Sequence, residues 1–246
     1  MSGPALGIFI PAYNAAATLP EVIARIPSDL WDDIGTVTVI NDGSKDGTAE
    51  VVEGLMARYP KLRLHSFERN RGYGQAVRRG LGFCRESGCE YSACLHADGQ
   101  YPPEKLVLFL AHMRRYRVDV LQGSRHKDGT ARAGGMPRYK IAAGKALTFL
   151  ENLCFGLDMT DYHSGFLMYS RKALRGIPFE RLSGYFDFDL EVIATARAAG
   201  LHISELAIPT RYAGEKSYLN PIWYGLRVLR VMVRYRLGKY GGGIDA

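Results

Sequence analysis

The feature that most constrains this chain is a regular exchange between two hydrophobic periods. Short apolar runs at Ala5–Ile10, Thr36–Ile40, Leu62–Phe67, Tyr91–Leu95 and Val118–Gln122 read as buried strands. Between them, segments opening near Leu19, Thr48, Gly74 and Glu104 space their apolar residues as helices do, with Thr18 placed to cap the first and Pro20 in its first turn. Strands alternating with helices across short loops imply an α/β chain with a mostly parallel sheet covered on both faces. Such sheets bind ligands beyond the carboxyl ends of their strands. Pro11-Ala12-Tyr13-Asn14, Asp42, Asn70 and His96-Ala97-Asp98 all fall at those ends, so the topology gathers residues that lie far apart in sequence.

After Gly123-Ser124-Arg125 the exchange stops. Lys127 to Arg138, rich in Gly, Arg and Lys, reads as a mobile loop of the kind that serves as an active-site lid. A helix from about Lys140 to Phe155 leads to Asp161-Tyr162-His163-Ser164-Gly165-Phe166. A short strand at Leu167–Tyr169, a helix over Asp187–Ala199, a strand at His202–Ile208 and a last helix from Pro221 to Leu237 follow. No linker composition interrupts the 246 residues, so the expectation is one domain over residues 1–218 and a C-terminal helix and tail over 219–246.

Composition narrows the class only where charge and cysteine matter. The formal net charge of +7 favours anionic partners. Four cysteines without a C-x-x-C pair read as free, mostly buried thiols of a reducing cytosol. The N-terminal stretch lacks the basic region and cleavage site of a signal peptide, and no window reaches the roughly 18 apolar residues of a membrane span.

Several chemistries are disfavoured. Gly72-Tyr73-Gly74 sits between a strand and a helix, but Val77 occupies the third glycine of a dinucleotide fingerprint and the first βα turn carries no such motif. A P-loop is absent. Nucleotide transfer to a sugar phosphate calls for a Gly-rich basic loop after the first strand, where this chain has the uncharged PAYNAAAT.

His96-Ala97-Asp98-Gly99-Gln100 leaves the fourth strand with an imidazole, a carboxylate and an amide at alternate positions. That is a half-shell suited to a divalent cation, although solvated turn residues are the alternative. Its neighbours raise its meaning. They are Ile10-Pro11-Ala12-Tyr13-Asn14, Val39-Ile40-Asn41-Asp42-Gly43-Ser44-Lys45-Asp46-Gly47-Thr48, Asn70-x-Gly72-x-Gly74-x-Ala76, His96 to Pro103, and Gly123-Ser124-Arg125. As a set they closely resemble the family 2 glycosyltransferases of the GT-A fold, and among them the dolichyl- or polyprenyl-phosphate sugar synthase branch. The resemblance runs from about Ile8 to Lys216.

The resemblance implies roles position by position. Pro11, Tyr13 and Asn14 with Asp42 would hold the nucleoside, Asp42 accepting hydrogen bonds from the base edge; a turn proline and an Asx-turn are the alternative. Asn70 and Gly72 would close over the sugar-nucleotide. The D-x-D metal motif falls on His96-Ala97-Asp98, with Gln100 after it. His96 replaces the first acid, which lowers the charge offered to the metal and favours Mn2+ over Mg2+. His163 is a candidate for a late histidine that reaches the same metal, and a structural loop histidine is the other reading. Arg125, Arg138 and Arg211 match positions associated with acceptor or pyrophosphate phosphates. Leu167 departs from the arginine that commonly follows Gly-Phe, and Glu215-Lys216-Ser217 inverts the usual order.

The chemistry expected from this set is metal-assisted, inverting transfer of a sugar from a UDP- or GDP-type donor. The metal, Mn2+ or Mg2+, neutralises the departing diphosphate. An anionic polyprenyl phosphate needs no catalytic base, whereas a hydroxyl acceptor needs one, for which Asp161, Asp187 and Asp189 are available. Asp187 and Asp189 also suit the start of a helix. In the final helix Arg227, Arg230 and Arg234 share one side while Leu226, Leu229, Val233 and Leu237 share another, with Trp223, Tyr224, Tyr235 and Tyr240 alongside. The pattern reads as a basic amphipathic helix on the cytoplasmic face of a membrane, or as a terminal helix packed on its own domain. Nucleic acid is not an expected partner, since no binding motif accompanies the charge. Three readings follow: transfer to a polyprenyl phosphate, transfer to a glycan hydroxyl, and nucleotide-sugar binding without turnover.

Overall fold

The computed structural model describes residues 5–128, 138–209 and 221–241, with the side chains of 138–141 and 221 outside that set. In chain order the main elements are β1 (Leu6–Ala12), α1 (Leu19–Ala24), β2 (Ile34–Asn41), α2 (Thr48–Met56), β3 (Leu62–Ser66), α3 (Tyr73–Glu86), β4 (Tyr91–Cys94), α4 (Leu106–Tyr116), β5 (Val120–Ser124), α5 (Arg138–Phe155), β6 (Leu167–Ser170), α6 (Arg171–Gly176), α7 (Phe188–Ala198), β7 (Ile203–Ala207) and α8 (Pro221–Arg236). Seven strands form one sheet in the order β3-β2-β1-β4-β6-β5-β7. β6 runs antiparallel to both its neighbours and the remaining pairs are parallel.

Alternation along β1 shows how the sequence divides the core. Leu6, Ile8 and Ile10 face one layer, where Leu19 and Ile23 of α1, Val52 of α2 and Phe109 of α4 pack. Phe9 points to the other layer, which holds Val77 and Leu81 of α3, Ile193 of α7 and Val228 and Val231 of α8. Gly80 of α3 lies directly against Phe9; a Cβ there would come within 2.3 Å of the ring, so the helix approaches the sheet only because the side chain is missing.

The expected elements are present, with ends moved by a residue or two. The fifth strand starts later than expected, at Val120, because Arg117 caps α4 in a left-handed conformation (φ 51°) and Val118 belongs to the link. A short helix, α6, was not anticipated. The Ser170 hydroxyl caps it by accepting from the Ala173 N–H at 3.1 Å, a serine signal hidden inside a stretch read only as a strand. Among the described residues the cysteines are free, with Cys84, Cys89 and Cys94 buried. No described helix is long and apolar enough to cross a membrane.

Of the two expectations made for α8, the structure shows the packed terminal helix. It packs on the domain through Val228 and Val231, and Arg227 and Arg234, expected on a basic outer side, turn inward instead. Arg234 reaches Glu191 of α7 at 2.9 Å and Arg227 reaches Asp187 at 3.4 Å. Arg230, Arg236 and the Leu226, Leu229, Val233 and Leu237 side chains remain outside.

Candidate active site

The site begins at the ends of β1 and β2, where two loops are sewn together. Asn14 sits in a left-handed turn (φ 51°); its N–H donates to the Ser44 hydroxyl at 2.9 Å and its side-chain oxygen accepts from the Lys45 N–H at 3.0 Å. Asp46 accepts from the Ala16 N–H at 3.0 Å, and Thr48 accepts from the Ala15 N–H at 3.0 Å. Much of the Asn-Asp-Gly-Ser-Lys-Asp-Gly-Thr motif therefore secures the β1 loop, holding Pro11, Tyr13 and Asn14 along one wall of a cavity.

Asp42 has a role that its position alone did not reveal. Its buried carboxylate accepts from the Arg71 N–H at 2.7 Å and the Gly72 N–H at 2.9 Å, drawing the β3–α3 turn over the end of β2. Each carboxylate oxygen thus holds one backbone donor and keeps acceptor capacity for another. The turn closes down because Gly43 (φ 68°) has no side chain: a Cβ would stand 2.5 Å from the Arg69 carbonyl carbon and 2.6 Å from the Asn70 nitrogen. Asn70 is exposed at the turn's tip.

Opposite lies the β4 end. Pro11, Tyr13, Asn14, Ala15, Thr18, Tyr73, His96, Ala97 and Asp98 line a cavity of about 280 Å3. The Ala97 carbonyl accepts from the Thr18 hydroxyl at 2.6 Å, fixing the strand end against α1. Asp98 is exposed to the cavity, and the Gln100 N–H donates to its Oδ1 at 3.0 Å. His96 turns inward. Its Nε2 lies 3.2 Å from the Tyr73 hydroxyl, its ring meets Tyr101 edge-on, and Gly165 leaves the space the ring fills. Burial pushes the imidazole below its ordinary value, against the opposite pull of Asp98, so the ring is neutral at physiological pH.

Tyr73 is a site residue the sequence reading passed over as the middle of a Gly-x-Gly turn. Its hydroxyl donates to Asp189 Oδ2 at 2.8 Å, producing a line from His96 through Tyr73 to Asp189. Burial lifts the Asp189 carboxyl to about 7, even though the Tyr73 hydrogen bond works the other way. Asp187, by contrast, accepts from the Ser183 hydroxyl at 2.6 Å and faces Arg227, at the start of α7.

A further group at the same end of the sheet comes from the end of β5 and the segment entering β6. Arg125 forms a two-pronged pair with Asp161, Nε to Oδ2 at 2.8 Å and Nη2 to Oδ1 at 3.2 Å. Burial alone would raise the Asp161 carboxyl, but the Arg125 charge and hydrogen bond, aided by His163, hold it at about 2. A carboxylate so placed is a poor proton acceptor near neutrality; Asp161 orients Arg125, and the expectation of a base at 161 is corrected accordingly. Behind it, buried Glu205 accepts from the Thr160 N–H and hydroxyl, both at 2.9 Å, and Thr160 meets Ser124 at 2.6 Å.

His163 Nδ1 is 2.8 Å from the Tyr224 hydroxyl of α8 and its Nε2 is 3.3 Å from the buried Glu151 of α5, surroundings that fit the structural loop histidine, one of its two readings. Among the described residues no group of three or more His, Cys, Asp or Glu side chains gathers for a metal. Asp98 fits one, presenting a carboxylate into the cavity. Hard divalent cations that keep water and substrate phosphates in their shell need few protein ligands. The Arg138 side chain, Arg211 and the Glu215-Lys216-Ser217 stretch lie outside the described residues.

A mostly parallel GT-A-like sheet, with polar loops at the β1 and β2 ends and an exposed carboxylate after β4, is the architecture this site defines. Comparison with known proteins makes this specific. Residues 7–177 match the family described as "Glycosyl transferase family 2", and the chain belongs to that family. It is 24% identical over 252 aligned residues to a UDP-N-acetylglucosamine–dolichyl-phosphate N-acetylglucosaminyltransferase of Methanococcus voltae, covering 97% of this chain and 99% of that one. An undecaprenyl-phosphate mannosyltransferase of Micrococcus luteus is 26% identical, with 93% and 97% covered. Glucosyl-3-phosphoglycerate synthase from Mycobacterium tuberculosis, solved with Mn2+, uridine diphosphate and phosphoglyceric acid, superposes with a TM-score of 0.66 at 19% identity. That superposition covers 99% of this chain and 81% of that one.

Proposed function

We propose that this protein transfers a sugar from a nucleotide-sugar to a polyprenyl phosphate, with inversion at the anomeric carbon. The observation that carries the reading is the placement of two charged groups at one end of the sheet, after β4 and after β5. Asp98 opens on the cavity below the nucleotide-side loops, and the Arg125–Asp161 pair supplies an oriented guanidinium on the acceptor side. The full-length likeness to lipid-phosphate sugar transferases supports the acceptor class.

In this reading Pro11, Tyr13 and Asn14 flank the nucleoside, and the Asp42-held turn at Asn70–Gly72 covers the diphosphate. Asp98 would hold a divalent cation, Mn2+ or Mg2+, which when bound offsets the charge that gathers on the departing diphosphate. Arg125, fixed by Asp161, binds the acceptor phosphate in line with the sugar, and an anionic oxygen attacks without a base. Neutral His96 leaves one negative charge fewer beside the cation and packs the cavity floor against Tyr101.

We also infer a membrane surface for the outer sides of α5 and α8. Phe149, Leu150 and Leu153 of α5 are exposed along with Leu226, Leu229, Val233 and Leu237 of α8, and the two helices pack together. Arg230, Arg236 and Lys239 edge the apolar area with the charge an anionic leaflet attracts.

A second reading, transfer to a glycan hydroxyl, draws on Asp189, whose carboxyl near 7 suits a general base. Incubation with UDP- and GDP-sugars, Mn2+, Mg2+ or EDTA, and a polyprenyl phosphate separates the two. The expected product is an acid-labile glycosyl phosphate, lost in Asp98→Ala; formation of an acid-stable glycoside, abolished in Asp189→Asn, would favour the second. Donor binding without turnover under every combination would leave neither standing.

A further inference from the structure

Two consecutive aromatics, Tyr185 and Phe186, stand 60% and 45% exposed in the segment that leads into α7. They are held there by a fixed loop. The Gly74 N–H donates to the Gly184 carbonyl at 3.2 Å, and a Cβ at Gly74 would fall within 2.6 Å of the Gly184 carbonyl carbon, so α3 and this loop touch backbone to backbone. On the far side Asp187 is gripped by the Ser183 hydroxyl and by Arg227. Solvent gains nothing from two rings anchored outward in this way, and a ligand with apolar surface does.

The rings also lie on a path. Phe186 stacks on Tyr73, centroids 5.6 Å apart and planes 12° from parallel, and Tyr73 lines the cavity beside His96. Tyr185 carries the Arg227 guanidinium 3.9 Å above its ring, and Arg227 follows Leu226 on the outward apolar side of α8. Arg125 lies close enough to act electrostatically on both His96, which lines the cavity, and Tyr101. The succession runs from an anion-binding guanidinium, past Tyr73, over Phe186 and Tyr185, to the apolar face of α8.

We propose that Phe186 and Tyr185 are the binding track for the isoprenoid chain of the acceptor, guiding it from the phosphate site to α8. The proposal rests on the polyprenyl-phosphate reading and adds to it a site for the chain's first units. Polyprenyl chains offer flat, branched alkenes that cover aromatic faces well. The donor nucleoside, at the Pro11–Tyr13 end, has no need of these rings.

The test is steady-state kinetics of Phe186→Ser, Tyr185→Ser and the double variant with geranyl, farnesyl and undecaprenyl phosphate, donor saturating, in one detergent. For undecaprenyl phosphate the KM is expected to rise about tenfold per ring, with the penalty shrinking as the chain shortens and the donor KM unmoved. Phe186→Leu, which keeps apolar surface, is expected to recover most of the loss. A KM for undecaprenyl phosphate equal to wild type would overturn the track. So would a penalty that ignores chain length, or one that appears in the donor KM and makes the rings a sugar platform. If the wild-type protein glycosylates none of the three phosphates but does glycosylate a hydroxyl acceptor, the polyprenyl reading itself fails. Transfer to all three with insensitive variants would remove only the track. Melting temperatures of the exposed-residue variants, expected to match wild type, separate binding effects from unfolding.

Discussion

Replacing Asp161 by Asn tests the claim that this carboxylate exists to aim Arg125. Asp161 is 1% exposed, and its carboxyl sits at about 2 against an ordinary 3.8 because Arg125 more than offsets the cost of burial. At 1.36 kcal/mol for each pH unit, the difference is about 2 kcal/mol in favour of the folded state at neutral pH. The folded value is depressed, so the contribution is complete above the unfolded value near 3.8 and disappears as pH falls through about 2. In a domain of this size about 2 kcal/mol lowers the melting temperature by roughly 4–8 °C. Thermal unfolding of wild type and Asp161→Asn at pH 7, followed by circular dichroism, is expected to show that gap, and denaturant titrations towards pH 3 to show it narrowing. Transfer should fall as well, through a raised acceptor KM, because a freed Arg125 samples other rotamers. Equal melting temperatures at pH 7, or a gap that stays constant down the acid limb, would refute the reasoning.

Two further outcomes follow from other parts of the molecule. His96→Asp restores a second acid beside Asp98 and should lower the Mn2+ or Mg2+ concentration for half-maximal transfer severalfold, read from metal titrations of initial rate; an unchanged or raised requirement would deny His96 its place beside the cation. Gly80→Ala puts a methyl group 2.3 Å from the Phe9 ring, an overpacking expected to cost about 1–3 kcal/mol and visible as a lower denaturant midpoint with unchanged slope.

Much of this architecture was legible because hydrophobic period and strand-end chemistry agree. β1 to β5 and the helices between them announce themselves by period, and parallel order then forces Pro11, Asp42 and Asp98 to one side. What stayed hidden was pairing between motifs. A sequence does not say that Asp42 accepts from the Arg71 and Gly72 amides, since the donors are backbone groups with no residue type of their own. Tyr73 was hidden for the opposite reason: a tyrosine between glycines at a helix start has an ordinary role in packing, and its partner Asp189 lies 116 positions away. Arg227 and Arg234 looked like an outer basic stripe because helical spacing shows which residues share a side but not what that side meets. His163 was drawn to the metal by residue type, whereas Glu151, a buried acid on an otherwise amphipathic helix, gave the better signal for its partner.

The reversed direction of β6 has a consequence for how this chain is made. β6 separates β4 from β5, so β4 has no partner on that side until residues 167–170 have been synthesised. A nascent chain therefore assembles β3-β2-β1-β4, with the loops at the β1 and β2 ends, while one strand edge is still open to any stray partner. Tyr91, Ser92 and Ala93 form that edge, the last two small residues that pair with little side-chain obstruction. Asp161, the partner of Arg125, arrives on the same segment that seals that edge. A chain stalled before Asp161 therefore carries an open β4 edge and an Arg125 that has no carboxylate to hold it.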